Sequence, residues 1–319
     1  MSWKKIIVVV VLVVVVFLLA GYAFLAFYDF NKFKPMIVKA VEGATGRELR
    51  IGGEIDIRLG LVPTLVAEDV LFENAAWGSR PQAAAVKRME IQIALLPMIK
   101  GHYEFGRIML IEPDVIVETN GSGKTNFDFE TSGEGGTPLP IFVFQDVRAE
   151  KGLFTFRDGK SGKAYSVRLE RLHAVIPGLD QAVDLTFEGA FEEIPVAFEG
   201  TVGPIMAWIE AGHSFSVNAT TRGSGVSVRV EGEIRDPTHL KDMAFEILAE
   251  GPSTRDAARL FGLSDVPDLG AFNLMAKMVD TEGVPALEDV DIHVGSEDLA
   301  DISLSGGIKD VFSQRGIQF

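Results

Sequence analysis

The apolar and polar positions first set apart one uninterrupted run. Between Ile6 and Tyr28 no residue is charged, and Val, Leu, Ile and Phe dominate. About 23 such residues suffice to cross a hydrocarbon core of about 30 Å as a helix. A cleaved secretory signal is the competing reading, since Gly21-Tyr22-Ala23 offers small residues at a cleavage-like spacing. A signal of that kind carries an apolar region of roughly 7–15 residues, which this run exceeds. The pattern therefore predicts an uncleaved single-pass transmembrane helix over 6–28, with Phe24, Phe27, Tyr28 and Phe30 as an aromatic belt at its exit. Lys4 and Lys5 on one side are balanced by Lys32, Lys34 and Lys39 on the other. The short N-terminus, residues 1–5, is expected in the cytoplasm.

Pro35 then opens Met36-Ile37-Val38-Lys39-Ala40-Val41, an amphipathic stretch that fits a helix with Pro at its first position, ended by Gly43 and Thr45-Gly46. Beyond it the period changes to two. Ile55, Ile57 and Leu59 alternate with Glu54, Asp56 and Arg58, and Ile91, Ile93 and Leu95 repeat the pattern. So do Val115 with Val117, Phe154 with Phe156, Val167 with Leu169, Leu185 with Phe187, Phe215 with Val217, and Val226 with Val228 and Val230. A period of two places one row of side chains in an apolar phase and the other in water. The turn residues between such runs give roughly a dozen strands. Ser253–Phe261 is the one later segment that reads as a helix, with Ser253 as its cap. Strand runs without alternating long helices predict a mainly β, antiparallel ectodomain and argue against a doubly wound nucleotide fold.

Gly and Pro crowd Thr131–Pro138, which divides the chain into a β module over 29–130, a linker over 131–140 and a repeating β region over 141–319. A short phrase recurs in the second region: Phe187-Glu188-Gly189-Ala190-Phe191, Phe198-Glu199-Gly200-Thr201-Val202, Val230-Glu231-Gly232-Glu233-Ile234 and Leu304-Ser305-Gly306-Gly307-Ile308. Each puts Gly on the same face as two apolar residues. The expectation is that Gly marks bends or close backbone approach.

Composition sharpens this picture. The formal net charge is −15 over 319 residues, which argues against nucleic acid, because phosphate binding needs clustered Lys and Arg. Residues 1–34 hold four Lys and one Asp, so the remainder is more acidic still and should project away from anionic lipid. The absence of cysteine excludes disulfides, thiolate metal sites and thiol nucleophiles. Twenty-two Phe stand against 4 Tyr and 3 Trp, and Phe, lacking a polar handle, suits a dry surface.

Candidate chemistry is sparse. Gly121-Ser122-Gly123-Lys124-Thr125 ends like a phosphate loop, but the position that needs the first Gly is Glu118, and Asn126-Phe127-Asp128-Phe129 alternates like a strand where a helix is required. Asn120-Gly121 as a hairpin turn between Asp114–Glu118 and Asn126–Phe129 explains the glycines without a nucleotide. His102, His173, His213, His239 and His293 lie far apart, with no pair at metal-ligand spacing. Asp289/Asp291 and Glu192/Glu193 read as the wet face of strands, and no Gly-x-Ser-x-Gly elbow occurs. No cofactor or metal is expected, and nothing points to an enzyme.

One further set of residues forms a long ordered run: Ala44-Thr45-Gly46-Arg47-Glu48-Leu49, Ile51-Gly52-Gly53-Glu54-Ile55, Pro63, Glu68-Asp69-Val70-Leu71-Phe72-Glu73-Asn74 with Trp77, Leu95-Leu96-Pro97, Gly106–Pro113, and Gly123 with Asn126-Phe127. In this run the segment Lys34–Phe129 resembles the AsmA family of bacterial envelope proteins. Leu263–Gly307 looks like later repeats of that family. Phe127 stands where the family often has Trp, and members are usually longer, so the chain's end at Gly316–Phe319 reads as the middle of a repeat.

The resemblance implies a single-pass protein of the bacterial inner membrane whose ectodomain faces the periplasm, linked to outer-membrane biogenesis and similar to bridge-like lipid transfer proteins of the chorein type. On that footing the ectodomain is expected to be a curved β-groove conducting phospholipids. The candidate groove residues are Ile55, Ile57, Leu59, Ile91, Ile93, Leu95, Val115, Val117, Phe154, Phe156, Leu185, Phe187, Phe198, Phe215, Val217, Val228 and Val230. Expected partners are phospholipids, the inner membrane through residues 6–28, and outer-membrane or other envelope proteins. The alternative function is a non-enzymatic periplasmic scaffold for outer-membrane protein assembly, in which the same apolar rows would close on each other.

Overall fold

The computed structural model describes Val16 and residues 29–58, 62–93, 105–129, 144–239, 241–260, 266–281, 284–296, 300–310 and 315–318. The predicted span 6–28 apart from Val16, together with Leu59, Leu95 and the linker 131–140, lies outside the described residues. No helix among the described residues is long and apolar enough to cross a membrane. The chain divides into two compact units, Met1–Phe144 with Arg157–Lys163, and Gln145–Phe156 with Ala164–Phe319.

The first unit starts with a 3₁₀ turn, Phe30–Phe33, that runs into helix α1, Lys34–Thr45. Pro35 occupies the first turn, where a missing N–H costs no hydrogen bond. The helix stops at Gly46, whose φ of 68° is left-handed and whose N–H donates to the Glu42 carbonyl at 2.7 Å. Gly43, expected to end the helix, lies inside it because the left-handed residue comes three positions later. Five antiparallel strands follow: β1 (Leu49–Ile51), β2 (Ile55–Arg58), β3 (Thr64–Glu73), β4 (Gln82–Ile93) and β5 (Phe105–Glu118). β3 pairs with β1 and β2 on one side and with β4 on the other, and β4 pairs with β5.

Pairing sorts the candidate residues of this unit into different rows. Ile57, Leu65, Ile91 and Ile108 form one row, and Ile55, Ala67, Met89 and Leu110 the next on the same face. Val115 pairs with Ala84 and so shares a row with Phe72 and Leu49. Ala84 is seven residues from Ile91 along β4, so Val115 lies in a different row from Ile91. Between the two sets lie Asp69 and Glu112, each with φ near +50°. On β5 the fully buried residues are Pro113, Ile116 and Glu118, with Val115 and Val117 half-buried.

In the second unit the strands are β6 (Phe144–Arg157), β7 (Ala164–Val175), β8 (Val183–Phe191), β9 (Ile194–Gly203), β10 (Phe215–Gly223), β11 (Val226–Asp236), β12 (Lys241–Gly251), β13 (Phe272–Thr281), β14 (Val284–Ser296), β15 (Ala300–Asp310) and β16 (Arg315–Gln318). They lie in sequence order, and the registered pairs from β7 to β16 are antiparallel. Short 3₁₀ turns at Ile205–Trp208 and Pro237–His239 and one helix, α2 (Thr254–Leu260), interrupt them, and the Ser253 hydroxyl accepts the Asp256 N–H as its sequence position suggested.

Two hairpins show how register is set. Glu192 and Glu193 were expected on a wet strand face but form the two-residue turn between β8 and β9, both with positive φ (46° and 71°). Ser224 and Gly225 do the same between β10 and β11 (50° and 79°). Primed turns of this kind match the right-handed twist of paired strands, so the backbone accepts the left-handed cost at glutamate to keep the register. The recurring Gly of the sequence phrase has a backbone reason, as expected. A Cβ at Gly200 would lie 2.3 Å from the Asn218 carbonyl oxygen, and one at Gly232 would lie 2.1 Å from that of Ala244.

Two predictions follow from these backbone positions. Gly200→Ala should destabilise the second unit by about 1–3 kcal/mol, since neighbouring main chain must shift. Glu193→Gly should stabilise it by about 1 kcal/mol by relieving the left-handed residue. Chemical denaturation of the full chain followed by circular dichroism checks both, and opposite signs are the expected result.

Candidate functional site

One face of the second unit carries long rows of apolar residues. Across it, pairing aligns Leu172, Phe187, Phe198, Thr221, Val228, Ala249, Leu274, Ile292 and Leu304 in a single row running from β7 to β15. A second row, two residues away on each strand, holds Ala174, Leu185, Gly200, Ala219, Val230, Ile247 and Ala276. A third holds Val183, Val202, Val217, Gly232, Phe245, Met278, Leu287 and Ile308. The middle row is rich in small residues, with bulkier side chains on both sides. Rows two residues apart are separated by about 6.6–6.8 Å, and the strands by about 4.8 Å.

Seven predicted residues therefore share this face: Leu185, Phe187, Phe198, Val217, Val228 and Val230 in the three rows, and Phe215 beside Ile234 at the end. The edge of the Trp208 ring meets Phe215 at 5.4 Å between centroids. Phe154 is half-buried and Phe156 exposed on β6. Ile55, Ile57, Ile91, Val115 and Val117 belong to the first unit, and the side chains of Leu59, Ile93 and Leu95 lie outside the described residues. The opposite face is laced with exposed ion pairs such as Arg222–Glu199 at 2.8 Å and Arg171–Glu188 at 2.9 Å. Exposed pairs contribute little stability, but they keep this side wet. Among the described residues, the substantial contacts of each strand in this unit are with its sheet neighbours and the short turn at Ile205–Trp208.

A polar cluster in the first unit escaped the sequence reading. The Glu118 carboxylate is 3% exposed. It accepts from Asn74 Nδ2 at 2.6 Å and from the Ser79 N–H at 2.9 and 3.1 Å. Asn126, with no exposed surface, donates from Nδ2 to Asn74 Oδ1 and to the Ile116 carbonyl, both at 2.9 Å, and accepts the Glu118 N–H at 2.9 Å. Asn74 Nδ2 also donates to the Arg80 carbonyl. The Arg47 guanidinium donates to the Asn126 carbonyl and lies 5.0 Å from the centre of the Phe129 ring. Phe72, Phe127 and Phe129 pack against one another over the cluster, 5.9–6.4 Å apart. Desolvation raises the Glu118 pKa, yet the hydrogen bonds from Ser79 and Asn74 together outweigh it and hold the carboxyl below the ordinary glutamate range.

This arrangement replaces the expected second strand of the hairpin. The turn at Asn120–Gly123 forms, with the Asn120 N–H on the Lys124 carbonyl and a single bridge from Thr119 to Thr125. Main-chain pairing ends at Asn126, whose N–H donates to the Glu118 carbonyl at 2.8 Å, and its side-chain amide then bonds the Glu118 N–H and the Ile116 carbonyl. Glu118, which failed as a phosphate-loop position, is here a buried anion already saturated with donors. No group of three or more His, Asp or Glu able to hold a metal occurs among the described residues.

Residues 1–135, which include the Asn74, Glu118 and Asn126 cluster, match the AsmA family. Through these residues the chain is similar to the AsmA family. The chain is also 21% identical over 297 residues to the AsmA family protein YhjG of Escherichia coli (strain K12), a match covering 81% of this chain and 43% of that protein. The chain thus spans less than half the length of the curated AsmA relative it matches.

The cluster gives a stability prediction with a defined sign. Asn126→Ala should cost about 2–4 kcal/mol, because it strands buried donors and acceptors. Since the folded-state pKa of Glu118 is depressed, its contribution is complete above the unfolded-state pKa and is lost as pH falls through the folded value. Denaturation midpoints measured from pH 7 down to pH 3 should fall less steeply for Glu118→Gln than for the parent chain.

Proposed function

We propose that this chain is an AsmA-like, membrane-anchored protein of the bacterial envelope, and that the apolar rows of its second unit carry phospholipid acyl chains between envelope membranes. The AsmA match over residues 1–135 and a long antiparallel strand array fit a protein of lipid transport or envelope biogenesis. The observation that carries the finer reading is the run of three aligned apolar rows, Phe187 and Phe198 among them, crossing the strands of the second unit.

The physical need is large. A phospholipid with two chains of about 16 carbons would expose on the order of 25 kcal/mol of apolar surface to water, at roughly 0.8 kcal/mol per CH₂. Passage between membranes requires a continuous dry track, and rows of Phe, Val, Leu and Ile backed by an ion-paired face have that character. The scaffold alternative requires the same rows to meet another apolar layer. The reading places the anchor at residues 6–28, the short N-terminus in the cytoplasm and both units in the periplasm, and it assigns no catalytic step.

A photoreactive benzophenone amino acid tests this in cells. Placed at Phe187, Phe198 or Phe245 of the full chain, it should capture phospholipid at least several-fold more than at Thr186 or Glu199 on the opposite face. Equal capture at both sets would remove the lipid reading.

A further inference from the structure

The outward side of α1 combines features that the acidic remainder of the chain does not offer together. Phe33 is 38% exposed and Met36 60%. Ala40 and Gly43, four and seven positions after Met36, are exposed as well, so they share one side of the helix with it. Lys32 and Lys39 are exposed beside them. From Lys32 to Val41 there is no acidic residue, in a chain whose net charge is −15. The other side of the segment is tied down. The Lys34 ammonium donates to the Gly53 carbonyl, the Ile55 N–H donates to Asn31 Oδ1 at 2.9 Å, and Asp29 caps the 3₁₀ turn by accepting the Asn31 N–H at 3.1 Å. The helix also packs against β1.

We propose that this face of Phe30–Thr45 lies on the surface of an anionic lipid bilayer and holds the strands of the first unit at a fixed stance to the membrane. The inference rests on the anchoring part of the reading above. A large apolar side chain such as Met36 or Phe33 gains by entering the boundary between headgroups and acyl chains, while lysines reach the phosphates. Juxtamembrane Lys residues are attracted by anionic headgroups over about a Debye length. The uncharged run ends at Tyr28, two residues before the 3₁₀ turn, so the face begins where the chain would leave the bilayer. That continuity favours lipid over an acidic protein as the occupant. The hydrogen bonds to Gly53 and Ile55 make the result a rigid collar, since the sheet must follow the helix.

The lack of cysteine allows single labels without background. The full chain carrying Met36→Cys, or Gln181→Cys as an exposed reference, is spin-labelled and reconstituted in vesicles of phosphatidylethanolamine and phosphatidylglycerol. The label at position 36 should show a several-fold higher ratio of oxygen to water-soluble nickel collisions than the label at 181. That ratio should fall when phosphatidylcholine replaces both lipids or when Lys32→Glu and Lys39→Glu are added. Nickel access at 36 equal to that at 181 would overturn the proposal, and shielding from both reagents would assign the face to a protein partner instead. Alkaline extraction separates the two readings: a chain that stays in the membrane with an aqueous label at 36 keeps its anchor and loses the collar, whereas a released chain loses both.

Discussion

Lateral main-chain pairing between strands adjacent in sequence is the interaction on which the rest of this protein depends. In the second unit the strands pair through their N–H and C=O groups with their neighbours in sequence, and the apolar side chains line up in rows across them. Apolar area is usually buried by stacking one layer on another. Here the register does that work instead, because aligned rows bring Phe187 against Phe198 and Phe245 against Met278 from strand to strand. Glycines at the closest approaches and left-handed turn residues such as Glu192 and Glu193 are the local costs of keeping that alignment.

The first unit solves the same problem differently. Its strands β3 and β5 carry left-handed residues, Asp69 and Glu112, between the row of Ile91 and the row of Val115. A fully satisfied polar cluster around Glu118, Asn74 and Asn126 fixes the end of the sheet. Buried networks of this type are costly when any member is missing and rigid when all are paired. The AsmA match falls on residues that include this cluster, whereas the long apolar rows lie mostly beyond it.

Which parts were legible in the sequence follows from these two modes. From β8 to β12 pairing runs without bulges, so strict alternation reported the shared face correctly, and Leu185, Phe187, Phe198, Phe215, Val217, Val228 and Val230 were readable from period alone. In the first unit a parity change hid the relation of Val115 and Val117 to Ile91, since alternation within a strand says nothing about the row on the next strand. Asn126–Phe129 alternates like a strand but is not one, because main-chain pairing with β5 stops at Asn126 and the chain turns there. The Glu118 cluster was invisible for a similar reason: its members are 44 and 52 residues apart in sequence and have no common spacing.

The consecutive strand order has a kinetic side. Because every registered pairing from β7 to β16 joins neighbours along the chain, contact order in that region is low for a β protein, and closing each hairpin requires only a short loop. Such an array can nucleate at any well-formed hairpin and grow outward strand by strand, as nearest-neighbour repeat systems do. Growth of that kind can keep pace with a chain emerging from synthesis. It also means that inserting or deleting a whole hairpin changes the length of the array while leaving the pairing rules of the remaining strands intact.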